Sequence, residues 1–144
     1  MKIAFDLHGV LDTYPEQMKP ELSRLVSAGH EVIILSGAFS EDIRDECTSL
    51  GLCSRHYTQI LSLLDYGVHT LGLTPWEAVS PRTGKMGTYI NDDIWWALKA
   101  ILCRIYKVYC LFDDKREYSI YFGPSHPTEF ILFDQSYKEK LREL

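Results

Sequence analysis

The chain lacks a long apolar run. A membrane-crossing helix needs about 18 or more consecutive apolar residues, and no stretch approaches that length. Asp6 interrupts the opening Met-Lys-Ile-Ala-Phe too soon for a secretory signal. Cysteine is sparse: Cys47, Cys53, Cys103 and Cys110 form no C-x-x-C pair, and no histidines stand at zinc-finger spacing. That argues against a structural zinc site. All four read as reduced thiols with structural roles in a cytoplasmic protein. No block of like charge is present, and the formal net charge is -5 with a pI near 5.5. An extended nucleic-acid surface is therefore not expected. The short basic groups, Lys115 with Arg116 and Arg82 with Lys85, read as solvated loop charge. There are no repeats and no low-complexity tracts.

What is present is the composition of one globular domain. The 144 residues are 46% hydrophobic and 24% charged, enough to bury a core. Short apolar runs alternate with longer helical patterns. Lys2–Leu7, Glu31–Leu35, His56–Ile60, Val108–Phe112 and Phe130–Phe133 read as strands. Helices are expected over Pro15–Ala28 and Asn91–Ile105, from Ser40 to about Leu50, and over Ser136–Leu144. Pro20 is placed in the first turns of one helix and Gly29 just after its end. Ser40 is read as an N-cap of another. A helical turn is expected over Glu117–Phe122. Residues 62–89 are punctuated by glycine and proline and read as a helical turn followed by a flap or hairpin. Strand and helix in alternation predict a three-layer α/β/α, Rossmann-like domain with a mostly parallel sheet.

In such sheets ligands bind at the carboxyl ends of the strands. Three of the expected strands end in polar residues there: Asp6, Ser36 and Asp113-Asp114. Magnesium takes hard oxygen ligands, and carboxylates together with a substrate phosphate meet that need. Asp6, Asp113 and Asp114 could supply them, and an ionised Asp6 could attack phosphorus. Ser36, Gly37 and the backbone amides after them could hold a phosphate, helped by the N-terminus of the following helix.

The run IAFDLHGVLD, with Asp6 at its centre, resembles the first motif of the haloacid dehalogenase (HAD) superfamily of phosphohydrolases, D-x-D-G-[TV]-[LV]. VIILSG with Ser36 is similar to the second motif, and VYCLFDD with Asp113 and Asp114 to the fourth. The motifs follow the family's order and span most of the chain. The resemblance implies that Asp6 is the nucleophile, forming an aspartyl-phosphate. It implies that Asp6, the carbonyl of His8, Asp113 and Asp114 serve magnesium. The family's third motif is a lysine on the helix before the fourth. Lys99 holds that place here, with Lys85 as the alternative.

Two departures stand out. The family's second aspartate, which protonates the leaving oxygen and later activates water, is His8 here. Histidine titrates near neutrality and could take the role, or it could simply pack at the rim. The first helix starts soon after Asp12, and residues 62–89 are too few for a large cap domain, so an open pocket is expected. Asp12 is read either as a substrate or water contact or as part of the turn. Of Trp95 and Trp96 one is expected in the core and one exposed. Tyr118 and Tyr121 are read as a packing pair that could line the pocket. His30, His56, His69 and His126 share no spacing and read as structural or surface residues.

The resemblance thus implies a magnesium-dependent hydrolase of phosphomonoesters, with a nucleotide or a nucleic-acid end among the candidate substrates. The alternative is a catalytically weak HAD-like protein that sequesters a phosphorylated ligand. The sequence leaves oligomeric state open, a homo-oligomer included, and points to no membrane partner.

Overall fold

The computed structural model describes every residue except Arg82 and Gln135. The expectation of solvated charge at Arg82 therefore lies outside the described residues. In chain order the elements are β1 (Lys2–Phe5), α1 (Pro15–Ser27), β2 (Glu31–Ser36), α2 (Ser40–Ser49), β3 (Gln59–Ser62) and α3 (Leu63–Asp65). Then follow β4 (Trp76–Val79), β5 (Met86–Tyr89), α4 (Asp92–Ile105), β6 (Cys110–Asp113), β7 (Glu129–Leu132) and α5 (Tyr137–Glu143). A 3-10 turn covers Arg116–Tyr121.

Five strands form one parallel sheet in the order β3-β2-β1-β6-β7. Alternation along the strands feeds two cores. Ile3, Phe5, Val32, Ile34, Cys110 and Phe112 face α1, α2 and α5, meeting Met18, Leu22, Ile43 and Leu141. Ala4, Ile33, Leu35 and Leu111 face the other way, against Leu98, Leu102 and Cys103 of α4. The sheet is thus flanked by helices on both faces, as the strand–helix alternation predicts. Among the described residues no helix is long and apolar enough to cross a membrane.

The chain runs outward from β1 to β2 and β3, then crosses back to lay β6 on the other side of β1. The crevice between β1 and β6 is therefore the topological switch point, where ligands bind in such sheets. The excursion at 62–89 contains the hairpin β4–β5, paired from Trp76 with Tyr89 to Val79 with Met86, as a separate two-stranded sheet.

Several local readings are corrected. The third strand starts at Gln59 rather than His56, because Cys53–His56 closes a turn: the His56 amide donates to the Cys53 carbonyl at 2.8 Å and the Cys53 amide to His56 Nδ1 at 3.0 Å. The fourth strand of the sheet starts at Cys110 rather than Val108. Pro20 lies in the early turns of α1, as expected, but inside the helix, where it leaves the Glu16 carbonyl without its helical donor. Gly29, at φ +89°, ends that helix in the left-handed region as expected. Ser40 does not cap α2. Its neighbour Phe39 stands at the cap position without a side-chain bond, and the Ser40 hydroxyl donates instead to Asp65. Trp95 and Trp96 are both half-buried, so neither is the wholly exposed partner expected.

Candidate active site

Parallel pairing of β1 with β6 brings Asp6 and Asp113 to one rim. The Asp6 amide donates to the Phe112 carbonyl at 2.9 Å, and the rings of Phe5 and Phe112 stack beneath at 4.9 Å. Asp6 is 4% exposed and Asp113 fully buried. Lys99, on the inward face of α4, reaches between them. Its Nζ lies 3.1 Å from Asp6 Oδ1 and 2.5 Å from Asp113 Oδ2. Tyr118 closes the lysine from the side, its ring centroid 4.3 Å from Nζ. Asp113 Oδ1 accepts from the Lys115 amide at 3.0 Å. Asp6 Oδ1 accepts from the Leu7 amide at 2.9 Å. Both described contacts of Asp6 therefore fall on one oxygen.

The loop after β1 needs Gly9. Residues 7–11 form a wide turn closed by the Asp12 amide on the Leu7 carbonyl at 3.0 Å, with Gly9 at φ +85°. A Cβ there would fall 2.1 Å from Asp114 Oδ2. Glycine thus supplies both the left-handed backbone and the room for Asp114. Asp12 completes the turn: its Oδ1 accepts from the Gly9 amide at 2.7 Å and from the Thr13 hydroxyl at 3.2 Å. It is not among the residues lining the main cavity, so of its two sequence readings the geometry favours the turn.

Asp6, Asp113 and Asp114 each offer an oxygen, all within 4.8 Å of one another. Three carboxylates face one ammonium, so the cluster is short of positive charge. Burial, opposed in part by Lys99, raises the Asp6 carboxyl to about 6, with Asp113 adding to the rise. Burial and then Asp113 also raise Asp114. Burial would lower Lys99, but Asp6 and Asp113 outweigh it and hold the ammonium charged. A cluster of hard oxygens with an unmet charge could hold a metal ion.

The raised Asp6 sets a pH dependence for metal-free protein. Between about pH 4 and 6 the folded state holds a proton that the unfolded state has released, so stability falls as pH rises through that window. The expected loss is roughly 3 kcal/mol from Asp6 itself. Chemical denaturation in EDTA at pH 4.5 and pH 7 would measure it against Asp6→Asn, which lacks this titration. Equal pH slopes in the two proteins would refute the assignment.

Ser36 is buried at the end of β2 and lines the same cavity, of about 740 Å3, as Asp6, His8, Gly37 and Lys99. The backbone after it is tightly held. The Leu64 amide donates to the Gly37 carbonyl at 3.1 Å and the Ser62 hydroxyl to the Ala38 carbonyl. Trp95 crowds Gly37, its ring within 2.8 Å of where a Cβ would stand. The N-terminus of α2, expected to help a phosphate, is already engaged by the Asp65 carboxylate at the Ser40 amide and hydroxyl.

His8 is half-exposed and held at both ring nitrogens. Nδ1 lies 3.1 Å from Asp12 Oδ2 and Nε2 3.2 Å from Glu46 Oε2. Lys85, the alternative lysine, lines the cavity from the hairpin but is exposed, while Lys99 makes the contacts with Asp6 and Asp113. Three residues were not singled out from the sequence. Glu46 and Asp42 line the cavity from α2, and Tyr89 from β5. Tyr118, expected as a packing partner of Tyr121 that could line the pocket, lies against Lys99, while Tyr121 is exposed. The spacing of Asp42 and Glu46, four residues apart and hence on one helix face, was the available signal for α2.

No protein-family model, curated protein or solved structure matches the chain.

Proposed function

We propose that the chain is a magnesium-dependent HAD-type phosphohydrolase of phosphomonoesters. The supporting observation is the sharing of Lys99 by Asp6 and Asp113 at the ends of neighbouring strands, with Asp114 in reach. Asp6, Asp113, Asp114 and the His8 carbonyl would hold the ion. Bound there, Mg2+ would neutralise charge on the phosphoryl oxygens and hold them in place.

Asp6 attacks phosphorus through Oδ2, the oxygen that the Leu7 amide and Lys99 leave alone. The new O–P bond forms as the ester P–O bond breaks, and the departing oxygen takes a proton from His8. A water then attacks the aspartyl-phosphate, giving its proton back to His8. Phosphate leaves and the Asp6 carboxylate is restored. Lys99 fixes Asp6 and offsets charge, while Ser36 and the Gly37 backbone cradle the phosphate. We read the β4–β5 hairpin as a small flap over an open pocket, in place of a large cap.

A second reading is ligand binding without turnover. It draws on His8, whose Nε2 must leave Glu46 before it can serve a substrate. Phosphate release from a panel of phosphomonoesters, with Mg2+ and with EDTA, separates the two. Turnover lost in EDTA supports the hydrolase. Thermal stabilisation by an ester recovered intact supports the binder. In the hydrolase, His8→Asp is expected to retain or raise the rate, and a collapse would count against a simple acid–base role.

A further inference from the structure

The carboxylate that closes the Leu7–Leu11 turn also reaches a ring at the cavity. Asp12 uses its two oxygens differently. Oδ1 accepts from the Gly9 amide at 2.7 Å and from the Thr13 hydroxyl at 3.2 Å, within the turn. Oδ2 lies 3.1 Å from His8 Nδ1. The turn requires only the Oδ1 contacts. A carboxylate accepts and does not donate, so the proton shared in the second contact sits on Nδ1. The ring is thereby held in one orientation, with Nε2 on its far side.

Nε2 is the nitrogen on the cavity side. It lies 3.2 Å from Oε2 of Glu46, and His8 and Glu46 both line the main cavity. The two carboxylates on the ring are not equivalent. Glu46 stands in the cavity, and its side chain has no other hydrogen bond among the described residues, so a ligand can take its place. Asp12 does not line the cavity and is anchored by two donors of the turn, so a ligand leaves it where it is. The His8 side chain is 48% exposed and that of Asp12 35%. Ion pairs so open to solvent contribute little stability. A histidine that exchanges protons through one nitrogen does need its other nitrogen held, and a carboxylate on Nδ1–H holds it.

We propose that Asp12 is a positioning residue for the reaction, holding His8 so that Nε2 serves first the leaving oxygen and then the attacking water. The inference rests on the phosphohydrolase reading and adds to it a residue that touches no substrate. In the first step Nε2 gives its proton to the ester oxygen as the P–O bond breaks. In the second it takes a proton from the water that attacks the aspartyl-phosphate. Nδ1 keeps its proton on Asp12 through both. Asp12 and His8 together would do the work of the single aspartate that the HAD motif carries at the place of His8.

Asp12→Asn separates this role from the turn. The amide keeps an oxygen for Gly9 and Thr13 and presents an N–H donor to Nδ1. Nδ1 then accepts, and the neutral ring carries its proton on Nε2, where it cannot take one from water. The assay uses p-nitrophenyl phosphate with Mg2+, an ester whose leaving oxygen needs little protonation. In the variant kcat should fall roughly 10²- to 10⁴-fold, and KM should fall with it because the second step has become limiting. A burst of one p-nitrophenolate per protein should precede the slow rate, with Tm close to wild type. An unchanged kcat, or a lowered Tm with no burst, would make Asp12 a turn residue only and overturn the proposal. Imidazole nitrogen NMR of metal-free protein reads the ring directly: the His8 proton on Nδ1 in wild type should move to Nε2 in Asp12→Asn. If the wild type hydrolyses no ester, the hydrolase reading fails and the spectrum decides alone. A moved proton keeps Asp12 as the residue that orients His8, and an unmoved one removes it.

Discussion

Phosphate release by Asp6→Asn protein should fall by roughly four or more orders of magnitude, with the fold intact. An amide cannot attack phosphorus, and loss of a nucleophile typically removes nearly all turnover beyond what binding groups supply. The substitution is close to isosteric, and Oδ1 can keep the Leu7 amide. It also removes one of the two buried acids that share a single lysine, so the metal-free protein at pH 7 should be at least as stable as wild type. Side-by-side phosphate assays and melting curves would check both halves. A variant that folds and retains a tenth of the wild-type rate would dismiss Asp6 as nucleophile.

Lys99→Met carries the largest expected stability effect. The lysine is 2% exposed and is the sole ammonium within contact of Asp6 and Asp113 among the described residues. Removing one partner of a buried ionic cluster costs about 3–5 kcal/mol, because the remaining charges stay desolvated and uncompensated. For a domain of this size that is roughly 10–15 °C in Tm. Asp6 would then retain its proton at higher pH. Millimolar Mg2+ should recover part of the loss, since it occupies the same charge deficit, and should stabilise the variant more than the wild type. Differential scanning calorimetry in EDTA and in Mg2+ would show this. A Tm within two or three degrees of wild type in EDTA would mean that the cluster does not depend on the lysine's charge.

The strand ends were the most legible part of the sequence. Apolar runs that stop at Asp6, Ser36 and Asp113 each read equally well as strand ends or helix caps, and only their convergence points to a site; the sheet places all three at one edge. The sequence offers Asn91 or Asp92 as the opener of α4, and the structure places Asn91 at the cap, its side chain accepting from the Asp93 amide at 2.9 Å. Contacts between distant segments were not legible. Nothing local to Ser40 signals that Asp65 will capture its hydroxyl, and a helix-start pattern therefore misleads. His56 carries strand propensity from its neighbours, but its ring closes a turn with Cys53. Choosing Lys99 over Lys85 required only helix placement, whereas the contact of Tyr118 with that lysine depends on how the 3-10 turn packs on α4. Glu46 is invisible as a partner of His8 until β1 and α2 are laid side by side.

Strand order also dictates when the acid cluster can exist. β1 and β6 lie far apart in the chain with four other strands between them, so their union is a long-range pairing, of the kind that forms slowly. Lys99 precedes Asp113 in the chain and is carried on the helix that leads into β6. The counter-ion therefore arrives with the second acid, and two bare carboxylates never have to be driven together on their own.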